Sequence, residues 1–416
     1  TDVAVDDHVT FGDVEHPALD EPDDEDIRRA ALAHPDEFAD EPIVAEPIPF
    51  VRPVVEDPEP ILQMIDRSLG TGMLTDGPVV QQLEERMSDL LAVDHCVAVA
   101  SCTTGLILLL QALGKKSVVM PSFTFSATAH AARWNGMDIT FADCDPSSWL
   151  LGPDDIEGNP DLIVGVHISG VPCDVKALEA RAETLGATLV FDAAHGAGSF
   201  IDIDGCPNPL GSFGAAEVFS LTPTKVLSGP EGGIVATNDA ALAETIRRAR
   251  NYGNPGNYDT LEAGMNGRMS ELHAAVVLAG IDHLETRVKH RNSVAGTYRE
   301  GLSSLPGIGF QEVPAGRQSS VKDFTITVSE EFEVPRDTVV TALRAEGIPT
   351  RPYYSPPLHQ QSAYADLEPR SLPVTEALSR QVISLPMWSD LDPSTAEKVI
   401  KAMERIHEHR SELARS

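Results

Sequence analysis

The chain predicts an α/β fold: a mostly parallel central sheet flanked by helices, with a smaller α+β domain at the C-terminal end. Three observations lead there. From Ile48 onward, short apolar runs alternate with segments of helical spacing, the pattern of strands that crossover helices bury on both faces. At 416 residues the chain can build one large core and a second, smaller one. Thr103, Asp192 and Lys225 each fall just after a strand reading, and ligands of such sheets bind at the carboxyl ends of strands.

The elements follow in order. Residues 1–46 are rich in Asp, Glu, Pro and Ala and hold 16 acidic residues against 2 arginines. Such a segment buries too little apolar surface to offset its ordering entropy, so it reads as a disordered tail. Residues 47–285 read as the large α/β domain. Val79–Leu91 has helical spacing, Cys96–Ala100 is a strand and Thr104–Leu113 a helix. Strand Ser117–Met120, helix Ser126–Trp134 and strand Asp138–Ala142 come next, then strand Leu162–Ile168, helix Val175–Leu185 and strand Thr188–Phe191. Strands Glu217–Leu221 and Gly233–Thr237 precede helix Ala240–Arg250. One long helix, about Met269 to Leu305, is predicted to leave this domain. Residues 286–416 read as the small α+β domain, with strand Lys322–Val328, helix Pro335–Glu346 and a final amphipathic helix Pro393–Arg410.

Composition narrows the function classes. With 42% hydrophobic and 23% charged residues the chain reads as soluble and globular. A formal net charge of −33 argues against nucleic acid or an anionic membrane as partner. It also means that an anionic substrate must find local positive charge in the site itself. No apolar run approaches a membrane span, and the acidic start shows no secretory signal. Five scattered cysteines without a CxxC pair argue against a disulfide framework or a metal site, and for the reducing cytoplasm.

One constellation carries chemistry. Lys225 ends Val218-Phe219-Ser220-Leu221-Thr222-Pro223-Thr224-Lys225, and Asp192 lies further back in Leu189-Val190-Phe191-Asp192-Ala193-Ala194-His195. A lysine able to lose its proton, an acid at a strand end and a hydroxyl for a phosphate are what pyridoxal 5'-phosphate requires. The lysine forms a Schiff base, the aspartate pairs with the pyridinium nitrogen, and Ser220 holds the phosphate. Thr103 and Thr104 lie between a strand and a helix, where backbone N–H groups and the helix dipole offer a phosphate seat.

Several segments then fall into one order: Gly72-Met73-Leu74-Thr75-Asp76-Gly77-Pro78, Ala98-Val99-Ala100-Ser101-Cys102-Thr103-Thr104-Gly105-Leu106, Met120-Pro121-Ser122-Phe123-Thr124-Phe125-Ser126-Ala127-Thr128 and Val166-His167-Ile168-Ser169-Gly170. After the Asp192 and Lys225 segments come Gly264-Met265-Asn266-Gly267-Arg268-Met269-Ser270-Glu271, Tyr353-Tyr354-Ser355-Pro356-Pro357-Leu358-His359 and Ser384-Leu385-Pro386-Met387. In this the chain resembles the DegT/DnrJ/EryC1/StrS family of pyridoxal-phosphate-dependent sugar aminotransferases, of aminotransferase fold type I, from about Ile48 to the C-terminus. The resemblance implies that Thr103 and Thr104 seat the cofactor phosphate and that Phe125 stacks on the pyridine ring, with Phe123 a core side chain. It places His195 near the cofactor's phenolic oxygen, where a structural histidine is the alternative. Asn266 is assigned to the phosphate of the neighbouring subunit's cofactor, which makes a homodimer part of the mechanism. Arg268 and His359 are candidates for the substrate side, a surface arginine being the alternative for Arg268. Two departures, Tyr252 in Arg250-Asn251-Tyr252-Gly253 and Pro230 before Glu231-Gly232-Gly233, bear on the shape of the acceptor pocket.

The expected activity is transfer of an amino group from L-glutamate or L-glutamine to a keto-sugar, nucleotide-linked, or to a keto-cyclitol, in amino-sugar or natural-product biosynthesis. The alternatives are dehydration by the same cofactor, or a regulatory protein that kept the fold without catalysis.

Overall fold

A computed structural model of the chain describes residues 42–414. Its centre is a seven-stranded sheet made of β1 (His95–Val99), β2 (Ser117–Pro121), β3 (Asp138–Ala142), β4 (Leu162–Val166), β5 (Thr188–Asp192), β8 (Glu217–Ser220) and β9 (Gly233–Thr237). The spatial order is β1-β9-β8-β5-β4-β2-β3. The pairs β2–β3, β2–β4, β4–β5 and β5–β8 are parallel. Only β9 runs against its neighbours β1 and β8. Between Ser220 and Gly233 the chain forms a loop without a crossover helix, and a direct return joins antiparallel strands. Lys225 lies in this loop.

Strands β4 and β9 are buried along their whole length, as helices on both faces require. Gly105 lets helix Cys102–Leu113 lie close to the sheet, since a Cβ there would stand 2.8 Å from Val218 Cγ1. Two small sheets complete the fold. One is β10 (Ile308–Phe310), β12 (Phe324–Val328) and β13 (Val382–Leu385); the other is β6 (Phe200–Ile203), β7 (Cys206–Pro209) and β11 (Arg317–Gln318).

Several expectations need correction. The strand expected over Leu162–Ile168 ends at Val166, and Ser169 turns the chain with φ of 57°. The single helix expected from Met269 to Leu305 is two, Glu271–Gly280 and Leu284–Leu302, joined by a tighter turn at Ile281–His283. Gly280, a poor helix former, ends the first. The expected tail falls almost entirely on residues outside the described ones. At its end, however, Val44 is buried in the smaller core, and the N–H groups of Ile43 and Val44 donate to Glu346.

Two hydrophobic cores flank helix Leu284–Leu302, which sends Leu284 and Val288 into the larger and Val294, Tyr298 and Leu302 into the smaller. The chain beyond residue 285 does not stay with the smaller core: Leu358, Tyr364, Leu372 and Leu378 return to the larger one. No helix among the described residues is long and apolar enough to cross a membrane. All five cysteines are free, and no described cluster could hold a metal ion.

Candidate active site

The carboxyl ends of β1, β2, β4, β5 and β8 converge on one cleft of about 310 Å³. Thr103, Phe125, Asp192, His195, Ser220 and Lys225 all line it.

Asp192 ends β5 and is 4% exposed. Thr128 Oγ1 donates to its Oδ2 at 2.6 Å, and the Ala194 N–H donates to Oδ1 at 3.0 Å. Burial pushes the carboxyl up, while these hydrogen bonds and the nearby Lys225 act the other way. Such a carboxylate is best satisfied by a cationic partner. Lys225 is deeply buried; burial first, then the Lys322 ammonium, pull it down to about 8. A lysine so shifted can give up and take back a proton near neutral pH, as an arginine cannot.

His195 is held neutral, its pKa well below the ordinary value through burial and through Lys225 and Lys322. The Ser169 N–H donates to its Nδ1 at 3.2 Å, so the remaining ring proton sits on Nε2. His195 is therefore a hydrogen-bond donor at the cleft.

At the end of β1, Ser101 caps helix Cys102–Leu113 by accepting from the Thr104 N–H at 3.0 Å. The Thr104 hydroxyl lies 2.9 Å from Ser101 Oγ, so Thr104 completes the cap and Thr103 is the threonine that reaches the cleft. Across from them, Ser220 Oγ lies 3.4 Å from Thr222 Oγ1, which lies 3.5 Å from Thr224 Oγ1. Gly233 is needed behind this seat, because a Cβ there would stand 2.6 Å from the Cys102 nitrogen. Phe123 is fully buried, whereas Phe125 is 58% exposed at the mouth of the cleft.

Besides Thr104, three of the expected residues do not line this cleft, and Asn266 was expected at a second subunit's cofactor. His359 is held outside the cleft, its Nδ1 2.7 Å from Ser122 Oγ and its Nε2 3.5 Å from Glu376. Arg268 donates to Asn251 and stands over the Tyr252 ring at 5.6 Å. Asn266 is exposed on the same loop, where its backbone pairs with Asn251. Sequence reasoning gave no role to Thr128, Thr222, Lys322 or the stacked pair Tyr353–Tyr354. Thr128 was open to discovery, since it lies one helical turn after Phe125 beneath the same strand edge.

The residues present fit pyridoxal phosphate. A buried carboxylate suits the ring nitrogen, an exposed aromatic face the ring, hydroxyls at a helix N-terminus the phosphate, and a depressed lysine the aldehyde. When bound, the cofactor supplies an electron sink that lowers the barrier to removing the proton on the carbon bearing the amine.

This cleft, at the carboxyl edge of such a sheet, defines a pyridoxal phosphate enzyme of fold type I. The chain belongs to the DegT/DnrJ/EryC1/StrS aminotransferase family, whose model matches residues 56–404, and is accordingly a pyridoxal-phosphate-dependent aminotransferase. A UDP-N-acetyl-3-dehydro-alpha-D-glucosamine 3-aminotransferase of Acidithiobacillus ferrooxidans is 34% identical over 353 residues, 83% of this chain and 93% of the relative. Among solved structures, DesI in the presence of its TDP-sugar product is similar with a TM-score of 0.84 at 35% identity, over 90% of this chain and 96% of that one. NtdA of Bacillus subtilis with bound cofactor PMP has a TM-score of 0.76 at 26% identity, over 85% of this chain and 83% of that one.

Proposed function

We propose that this aminotransferase moves an amino group from L-glutamate or L-glutamine to the ketone of a nucleotide-linked sugar, as a homodimer, in amino-sugar biosynthesis. The observation that carries the reading is Lys225, buried beside Asp192 and lowered to about 8. Its amine would anchor the cofactor's aldehyde and, when free, would be the group at this position able to take and return a proton near neutral pH. Asp192, held by Thr128, would pair with the ring nitrogen and keep it protonated. Ser101, Thr103, Ser220 and Thr222 would hold the phosphate, and His195 would offer its Nε2 proton to the ring's phenolic oxygen. Phe125 would cover one face of the ring.

A nucleotide-linked acceptor is supported by the UDP-sugar and TDP-sugar of the relatives' names. Binding of a nucleotide far from the reacting carbon would supply orientation there. The homodimer is supported by Asn266, which is exposed and outside its own chain's cleft, where it is free to meet a second copy. Apolar Met73 and Leu74 are exposed as well.

The test is incubation of the cofactor-loaded protein with L-glutamate or L-glutamine and UDP- or TDP-linked 3-keto and 4-keto sugars. The expected products are the 2-oxo acid and an aminated nucleotide sugar in equal amounts, with none from Lys225→Ala. Loss of water from the sugar without formation of the 2-oxo acid would favour dehydration instead.

A further inference from the structure

The cleft contains a second lysine that none of these steps uses. Lys322 lines it together with Lys225, and its side chain is only 6% exposed. Asp323 Oδ1 accepts from its Nζ at 2.7 Å, and the ammonium stands 5.4 Å over the Tyr353 ring. An ammonium has three donors, so this pairing leaves others for a ligand.

The segment is held at several points. The Lys322 N–H donates to Ser169 O at 3.1 Å, and buried Arg291 donates to the carbonyls of Val321 and Lys322 at 3.0 and 3.1 Å. Ser320 Oγ donates to His195 O at 2.7 Å. Asp323 Oδ2 lies 4.0 Å from His195 Nδ1, but that nitrogen already accepts from Ser169, so no proton lies between them. The charge of Asp323 is therefore directed to Lys322, and a paired ammonium can face the cleft without being a naked buried charge.

We propose that Lys322 is the carboxylate-receiving cation of the cleft, aimed by Asp323 and Tyr353 to take the α-carboxylate of the amino donor whose nitrogen reacts at the Lys225 position. This rests on the donor being an amino acid, as proposed above. The charged side chains that line the cleft are Asp192, Lys225, Glu231 and Lys322, with His167 and His195. Lys225 would be taken up in anchoring the cofactor and His195 is neutral, while His167, raised to about 9, faces the buried Glu217 carboxylate at 3.3 Å and so has its charge matched already. In a chain of net charge −33, Lys322 is the lining cation left with donors for a ligand. An α-carboxylate is one bond from the reacting carbon, so its cation must share the cleft with the reacting amine. The phosphates of a nucleotide sugar are anions too, but they lie farther from the reacting ketone.

The experiment titrates pyridoxal-phosphate-loaded wild type, Lys322→Met and Lys322→Arg with glutarate, a dicarboxylate that cannot react, by calorimetry. L-glutamate is followed by the shift of the cofactor absorption, and UDP and TDP serve as controls. Lys322→Met is expected to bind glutarate and L-glutamate roughly 10- to 100-fold more weakly. Lys322→Arg should recover most of that loss, and nucleotide binding should not change. The Arg variant also separates loss of the cation from loss of the fold. Unchanged glutarate affinity in Lys322→Met, no glutarate binding by wild type, or a loss confined to the nucleotides would each overturn the proposal. If wild type binds glutarate but neither L-glutamate nor L-glutamine shifts its absorption, the donor reading fails while the Lys322 comparison still decides this one.

Discussion

Replacing Lys225 by methionine should stabilise the cofactor-free protein, and the gain should shrink as pH rises. Lys225 is lowered from 10.5 to about 8, chiefly by burial, so the folded state holds its proton more weakly than the unfolded chain. Below pH 8 both states are protonated and the folded state carries the full penalty. Between about 8 and 10.5 the folded lysine is neutral while the unfolded one remains charged, so stability rises with pH. At about 1.36 kcal/mol per pK unit the penalty is about 3 kcal/mol at pH 7 and about 1.4 kcal/mol at pH 9.5. Methionine fills a similar volume without a charge. Urea unfolding of both proteins without cofactor, at pH 7 and pH 9.5, measures the two differences. The expected result is a more stable variant at pH 7 with roughly half that advantage at pH 9.5. A variant no more stable at pH 7, or an advantage independent of pH, would refute the picture of a buried, destabilised ammonium.

Three further outcomes follow from the site. Thr128→Val removes the 2.6 Å hydrogen bond to Asp192 and should weaken cofactor retention roughly 10- to 100-fold, read by spectrophotometric dialysis; unchanged retention would remove Thr128 from the site. Gly233→Ala puts a Cβ 2.6 Å from the Cys102 nitrogen and should cost about 1–3 kcal/mol of stability together with cofactor affinity; a neutral effect would show that the helix start can shift. His359→Ala breaks contacts to Ser122 and Glu376 and should lower stability by about 1–3 kcal/mol without changing either substrate's KM. A raised acceptor KM at unchanged stability would put His359 on the substrate side.

What the sequence showed depended on how local each feature is. Helices Ser126–Trp134 and Val175–Leu185 and strands β3 and β9 have the expected bounds, because apolar periodicity and adjacent caps specify them locally. The direction of β9 depends on its pairing partners and is not written in its own residues. The place of strand β13 is set by pairing with β12 and not by its own residues. Asp192, Ser220 and Lys225 were legible because strand ends of one sheet must meet at one edge. Lys322 was not, since it reaches the cleft from a segment held by Ser169 and Arg291. Thr104 and His359 carry the right chemistry, but local partners (Ser101 for one, Ser122 and Glu376 for the other) occupy them.

The most direct test of the central claim is the absorption spectrum of the purified protein supplied with pyridoxal phosphate, before and after L-glutamate and then L-glutamine. A near-visible band that one donor converts to the pyridoxamine form, absent in Lys225→Ala, is the expected result. No band, or a band that neither donor shifts, would contradict transamination at Lys225.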